Sequence, residues 1–208
     1  MHQQKKPQTL TGVCRLLLGP CTDQLRDLLR HHVPTSTFPS VINHHRCKLP
    51  RLTLPQKNLI LPNTGCYSGN YVDMDISLLY ILLRNICGIP PHINGWGYDP
   101  VPTDRTTSAN IERIRSNRNQ CVHSASPTLS TADFNSIWSS VRSTVVEIDK
   151  YLRNGNRYEK EVDLLRHETM DPVRDNHYRD ELERQTKEDQ GTRDKVNELK
   201  RKFKLYYI

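Results

Sequence analysis

The segment from Asp73 to Cys87, DMDISLLYILLRNIC, constrains this chain more than any other part of it. It opens with acidic residues, is apolar almost all round, and stops at Gly88, with Pro90 and Pro91 just beyond. Acidic side chains favour a helix start and glycine a left-handed end, while a helix with no polar face has to be buried. The segment therefore predicts a central helix, and the rest of the chain must supply elements to cover it. With 208 residues, 35% of them hydrophobic, and a mean hydropathy of -0.71, there is material for one core and an extension. No run approaches the roughly 18 apolar residues of a membrane span, so no membrane partner is expected.

Several covering elements can be read directly. Thr22 to His32 predicts a short amphipathic helix, with Thr22 able to cap, Asp23 near its start, Leu25, Leu28 and Leu29 on one face, and Pro34 beyond. From Pro34 to Pro62 prolines interrupt every periodic run, which predicts extended or turn backbone with Leu49, Leu52 and Leu54 packing on the core. A second helix is predicted from about Thr107 to His123. A third begins at Ser130, which forms a capping-box pattern with Asp133. Its apolar positions, Phe134, Trp138, Val141, Val145, Ile148 and Leu152, make a stripe that demands burial against other helices or a second subunit.

After Leu152 charged residues nearly alternate, and the one clean apolar spacing is Val196, Leu199 and Phe203. This predicts a solvated helical arm, a weak coiled coil or a partly disordered linker. The expectation is thus an all-α antiparallel bundle. Residues 1–62 form an N-terminal helix and Pro-rich connector, 63–152 the helical domain, and 153–208 a charged arm.

The N-terminus places two lysines before a short apolar run that Arg15 interrupts, a poor fit to a signal peptide. The cysteines are scattered with no C-x-x-C pair, which fits neither a disulfide scaffold nor a zinc module and suggests a reducing, cytoplasmic home. His44, His45 and Cys47 lie close together, but no second pair of ligands stands near them, so no metal or other cofactor is expected. The net charge is +7 with pI near 9.1, and the excess belongs to residues 1–152, since 153–208 is close to neutral. Positive charge gathered on a folded surface favours a polyanionic partner, though only weakly at this size.

The informative stretch is Ile111 to His123, IERIRSNRNQCVH. Projected as a helix, Ile111, Ile114, Cys121 and Val122 lie on one side, and Arg118 falls at the middle of that apolar side. A guanidinium there needs an anionic companion, because leaving it unpaired has a large desolvation cost. Glu112, Ser116, Asn119 and His123 form a neighbouring polar stripe, with Asn119 and His123 one turn apart. Such a set suits phosphodiester chemistry without metal. Arg118 would hold the phosphate, Asn119 would orient a group, and His123 would move a proton at the 2′-hydroxyl or the leaving oxygen. Arg118 and His123 are separated by about 140° on one helix, so two copies across a dyad would make the better pocket. The plainer reading stays open: Arg118 pairs with a carboxylate such as Asp75 or Asp133, and His123 merely ends a helix.

Arg118-Asn119-Gln120-Cys121-Val122-His123 matches the R-N-x-x-x-H signature of HEPN domains. The order DMDISLLYILLRNICGI, GWGYDPVPTD, ANIERIRSNRNQCVH, LSTADFNSIW resembles the HEPN domain of DAZ-interacting zinc-finger ubiquitin ligases and related invertebrate proteins, over roughly residues 60–152. The resemblance implies a helical bundle and RNA binding by a homodimer. It also implies metal-independent endoribonuclease activity, with the catalytic roles on Arg118 and His123 and the polar position on Asn119. Arg115, Glu112 and Ser116 are the expected RNA contacts. The chain holds no RING pattern, so ligase activity is not implied.

The alternative is a non-catalytic dimerisation or adaptor module in stress or innate-immune signalling, its arm passing to a downstream signalling protein. A third reading, from the abrupt ending KFKLYYI, is a chain whose function lay in a further C-terminal domain.

Overall fold

A computed structural model describes residues 10–123, 129–167, 177–178, 180–185, 187–188 and 190–191. Among these residues there are helices and turns but no strand, so the chain is an all-α bundle. The helices are α1 (Leu10–Leu16), α2 (Thr22–His32), α3 (Phe38–His44), α4 (Leu54–Ile60), α5 (Ile76–Ile86), α6 (Thr107–His123), α7 (Thr131–Leu152) and α8 (Arg157–His167). Further helical residues recur between 177 and 191.

Helix α5 is the central element, as its composition demands. The Asp75 side chain caps it by accepting from the Leu78 amide at 2.8 Å, and beyond its end Gly88 takes φ +65°, a left-handed value that suits glycine. Ile76, Leu78, Leu79, Leu82, Leu83 and Ile86 are all buried, between α2 on one side and α6 on the other. Helix α7 supplies the predicted stripe: Phe134, Trp138, Val141, Val145 and Ile148 are buried, and Ser130 caps the helix by accepting from the Asp133 amide at 3.1 Å. The α2 bounds are as predicted, but Thr22 does not cap. It is buried, and its hydroxyl donates 2.7 Å to the Leu17 carbonyl, because α1 and a π-type turn precede it.

Two expectations are corrected. The stretch from Pro34 to Pro62 is not mainly extended, since it holds α3, a 3-10 turn over Arg46–Lys48, and α4. Proline is well tolerated in the first turn of a helix, where its missing N–H would have no partner, and both Pro39 and Pro55 stand there. Thr53 and Gln56 complete a reciprocal capping box at the start of α4, with bonds of 3.2 and 3.1 Å.

The charged segment after Leu152 begins as part of the core rather than as a solvated arm. Tyr158, Val162 and Leu182 are buried. Arg142 of α7 clamps α8 through Asp163 at 2.7 and 2.8 Å and Glu159 at 2.7 Å, and the Tyr158 hydroxyl donates to Asp27 of α2. Inside the bundle, Gln24 of α2 donates to the Asp149 carboxylate of α7 at 2.9 Å, and the other Asp149 oxygen accepts from the Glu159 amide at 3.0 Å. One buried carboxylate thereby ties three helices together. The apolar spacing Val196, Leu199, Phe203 lies outside the described residues.

Candidate functional site

Helix α6 crosses the bundle with its apolar side inward, and Ile111, Ile114 and Cys121 are buried there as the projection requires. Arg118 stands among them at 3% exposure, and its Nη1 donates to the Asn119 side-chain oxygen at 3.2 Å. Arg118 and Asn119 line a cavity of about 250 Å³ together with Arg115, Arg51, Gln56 and Tyr80. Three arginines therefore line one hollow, and no carboxylate lines it among the described residues. Planar guanidiniums at close quarters repel one another and offer forked donors, so such a hollow suits an oxyanion.

Arg115 is held in place from behind. Its Nε donates 2.7 Å to Glu112, its Nη2 donates 3.2 Å to the Gly97 carbonyl, and its guanidinium lies 5.0 Å from the centre of the Tyr80 ring. Glu112 is 1% exposed and also accepts from the Tyr80 hydroxyl at 2.6 Å and the Gly97 amide at 2.5 Å. A buried carboxylate is tolerable only when its oxygens are occupied in this way. Gly97 adopts φ +92°, which a side chain would strain, so the approach of its amide to Glu112 depends on glycine. Burial first, and then the bond to Glu112, holds the Tyr80 phenol above its usual pKa.

A HEPN signature on the second long helix of such a bundle predicts a family, and the family is found. A family model described as DZIP3/hRUL138-like HEPN matches residues 26–178, well over half of the chain. The chain belongs to the HEPN family. No curated protein and no solved structure matches it.

The HEPN fold brings some of the predicted residues together and not others. Arg118, Asn119 and Arg115 share the cavity. Glu112 lies behind Arg115 with both oxygens engaged, where it shapes the wall. Ser116 faces a different groove, beside the serines of α7, and its hydroxyl donates 2.9 Å to Asp99. His123 belongs to the last turn of α6, one turn beyond Asn119, and its side chain lies outside the described residues. The carboxylates offered by the sequence as companions of Arg118 both act at helix starts: Asp75 accepts from the Leu78 amide, and Asp133 accepts from the Ser130 hydroxyl at 2.6 Å.

Reasoning from the sequence missed Arg51, Gln56 and Tyr80 of this HEPN site. The T-x-x-Q capping box at Thr53 and Gln56 was the available signal, since it starts a helix where prolines suggested none. Among the described residues no helix is long and apolar enough to cross a membrane.

Proposed function

We propose that this HEPN module binds single-stranded RNA at the arginine-lined cavity and, as a homodimer in the cytoplasm, cleaves it without metal. The observation behind this reading is the convergence of Arg51, Arg115 and Arg118 with Asn119 on one cavity that, among the described residues, no carboxylate lines. A phosphodiester carries the charge and the several acceptors that these donors can use. The 2′-hydroxyl oxygen would attack phosphorus and the bond to the 5′-oxygen would break, leaving a 2′,3′-cyclic phosphate and a 5′-hydroxyl. Arg118 would stabilise the charge on the phosphoryl oxygens, Asn119 would orient a reacting group, and His123 would take up or deliver the proton. Because Arg118 and His123 diverge by about 140° around one helix, a partner copy would complete the pocket.

The test is incubation of the purified full chain with mixed single-stranded RNA in EDTA, beside Arg118→Ala and His123→Ala. Cleavage by the wild type and not by the variants is expected. Equal cleavage by all three would remove the catalytic assignment. A dimer without RNA affinity at low salt, where phosphate attraction is strongest, would remove RNA binding and leave an interaction module.

A further inference from the structure

A second basic surface adjoins the cavity. Residues 28–72 contain no aspartate or glutamate, and their lysines and arginines are Arg30, Arg46, Lys48, Arg51 and Lys57. Arg30 is paired with Asp27, but the other four are exposed and make no ion pair with a described residue. Elsewhere Arg26, Arg142, Arg157 and Arg184 have carboxylate partners while Arg84, Arg105, Arg153, Lys160 and Arg166 have none among the described residues, so what sets residues 28–72 apart is that the stretch holds no acidic residue at all. Uncompensated like charges repel and do nothing for the fold, so their concentration on one face points to a polyanion.

The four cations follow one another along the chain, and three of them line cavities. Arg46 and Lys48 belong to the turn after α3, Arg51 precedes α4, and Lys57 stands on α4. A cavity of about 310 Å³ is lined by Arg46 and Lys57 with Asn43 and Asn63, again with no carboxylate among the described residues. Helix α4 is shared by the two hollows: Gln56 lines the one that holds Arg115 and Arg118, while Lys57 and Ile60 line the other. Seven residues at about 1.5 Å each make α4 roughly 10 Å long, so the hollows are close neighbours.

We propose that Arg46, Lys48, Arg51 and Lys57 form a track for the sugar-phosphate backbone of single-stranded RNA, leading into the cavity of Arg115 and Arg118. The inference rests on the RNA-binding reading above and extends the footprint well beyond the signature helix. Small hollows bordered by amides and guanidiniums suit separate phosphates and splayed bases, whereas a rigid A-form duplex would bridge them. They also suit RNA better than a bilayer, which meets convex surfaces. Leu54 at 70% exposure, between Arg51 and Lys57, offers an apolar surface against which a base can lie.

The test is fluorescence anisotropy on the full chain with a labelled RNA of about twelve nucleotides, a labelled trinucleotide, and vesicles containing phosphatidylserine, over a salt series. The triple variant Arg46→Gln, Lys48→Gln, Lys57→Gln should bind the longer RNA about tenfold more weakly at low salt. Its slope of log affinity against log salt should be flatter by about two, while trinucleotide binding stays as in the wild type. Lys48→Gln alone should flatten the slope by about 0.7, which keeps the test valid should the triple variant fail to fold.

Wild-type affinity and slope in the variants would overturn the track while leaving RNA binding at the cavity intact. Equal losses for both RNA lengths would overturn it too, as would variants that lose vesicle binding but keep RNA. A wild type that binds no RNA at all would overturn the RNA-binding reading itself.

Discussion

Helices α5 and α6 lie side by side in one bundle, yet they bury opposite things. Helix α5 buries hydrocarbon on nearly every side. Helix α6 buries Ser108, Asn110, Glu112 and Arg118 along with its apolar residues. Hydrocarbon burial stabilises a fold at about 25 cal/mol per Å² with little demand on geometry. Buried charge gives little net stability, and removing one partner is costly, so the polar residues of α6 depend on their partners where the apolar residues of α5 do not. Substitutions of buried α5 residues and of Glu112 should therefore be read through stability, and those of the arginines lining the cavity through binding.

Four substitutions and one titration test that contrast. Glu112→Ala should have the largest effect, about 4 kcal/mol in urea unfolding, because it leaves Arg115, Tyr80 and the Gly97 amide without their common acceptor. A loss below about 1 kcal/mol would mean that the carboxylate holds nothing. Leu83→Ala, at a fully buried position of α5, should cost about 3 kcal/mol by the same assay and leave the RNA affinity of the folded protein unchanged. Weaker RNA binding by that folded variant would blur the division between the two helices.

Arg118→Lys keeps the charge but loses the planar fork. Its expected signature is roughly tenfold weaker RNA binding, about 1.4 kcal/mol, with a smaller change in unfolding free energy. The reverse pattern would make Arg118 a structural residue. Tyr158→Phe should cost about 1 kcal/mol by removing the bond to Asp27, and no loss would show that this bond does nothing to hold α8 on α2.

The smallest effect near neutrality is that of pH. Burial pushes the Tyr71 phenol up to about 12 and raises Tyr80 as well. The unfolded chain releases these protons near pH 10 while the folded chain keeps them, so the folded state binds more protons above that point. This stabilisation is therefore fully present below pH 10 and is lost as pH rises from there toward 12. Burial also raises the Cys87 thiol from 9.0 to about 12, so urea midpoints measured at pH 7 to 11 should be level below about 8 and fall above it, and a rising midpoint would contradict the burial of these groups.

Much of the bundle was legible locally. The bounds of α2 and α6, the caps at Asp75 and Ser130, the left-handed end at Gly88 and the stripe of α7 all follow from residues within a few positions of one another. So does the burial of Arg118, since seven residues after Ile111 is the same side of a helix. What failed was of two kinds. In α3 and α4 prolines that break a helix interior stand instead in first turns, which Thr37 and Thr53 begin and which accommodate them. In α8 the alternating charges suggest a solvated helix, yet Arg142, far back in α7, collects two of them.

By itself, then, the sequence determined the class of the fold, its central helix and the side of α6 on which a cation is buried. These depend on periodicity and capping, which act over one or two turns. Only the tertiary structure decided that Arg51 and Gln56 reach the cavity of Arg118, that Glu112 stands behind Arg115, and that Ser116 faces elsewhere. Those placements depend on contacts between segments remote in the chain, and no local preference encodes which remote side chains close packing will bring together.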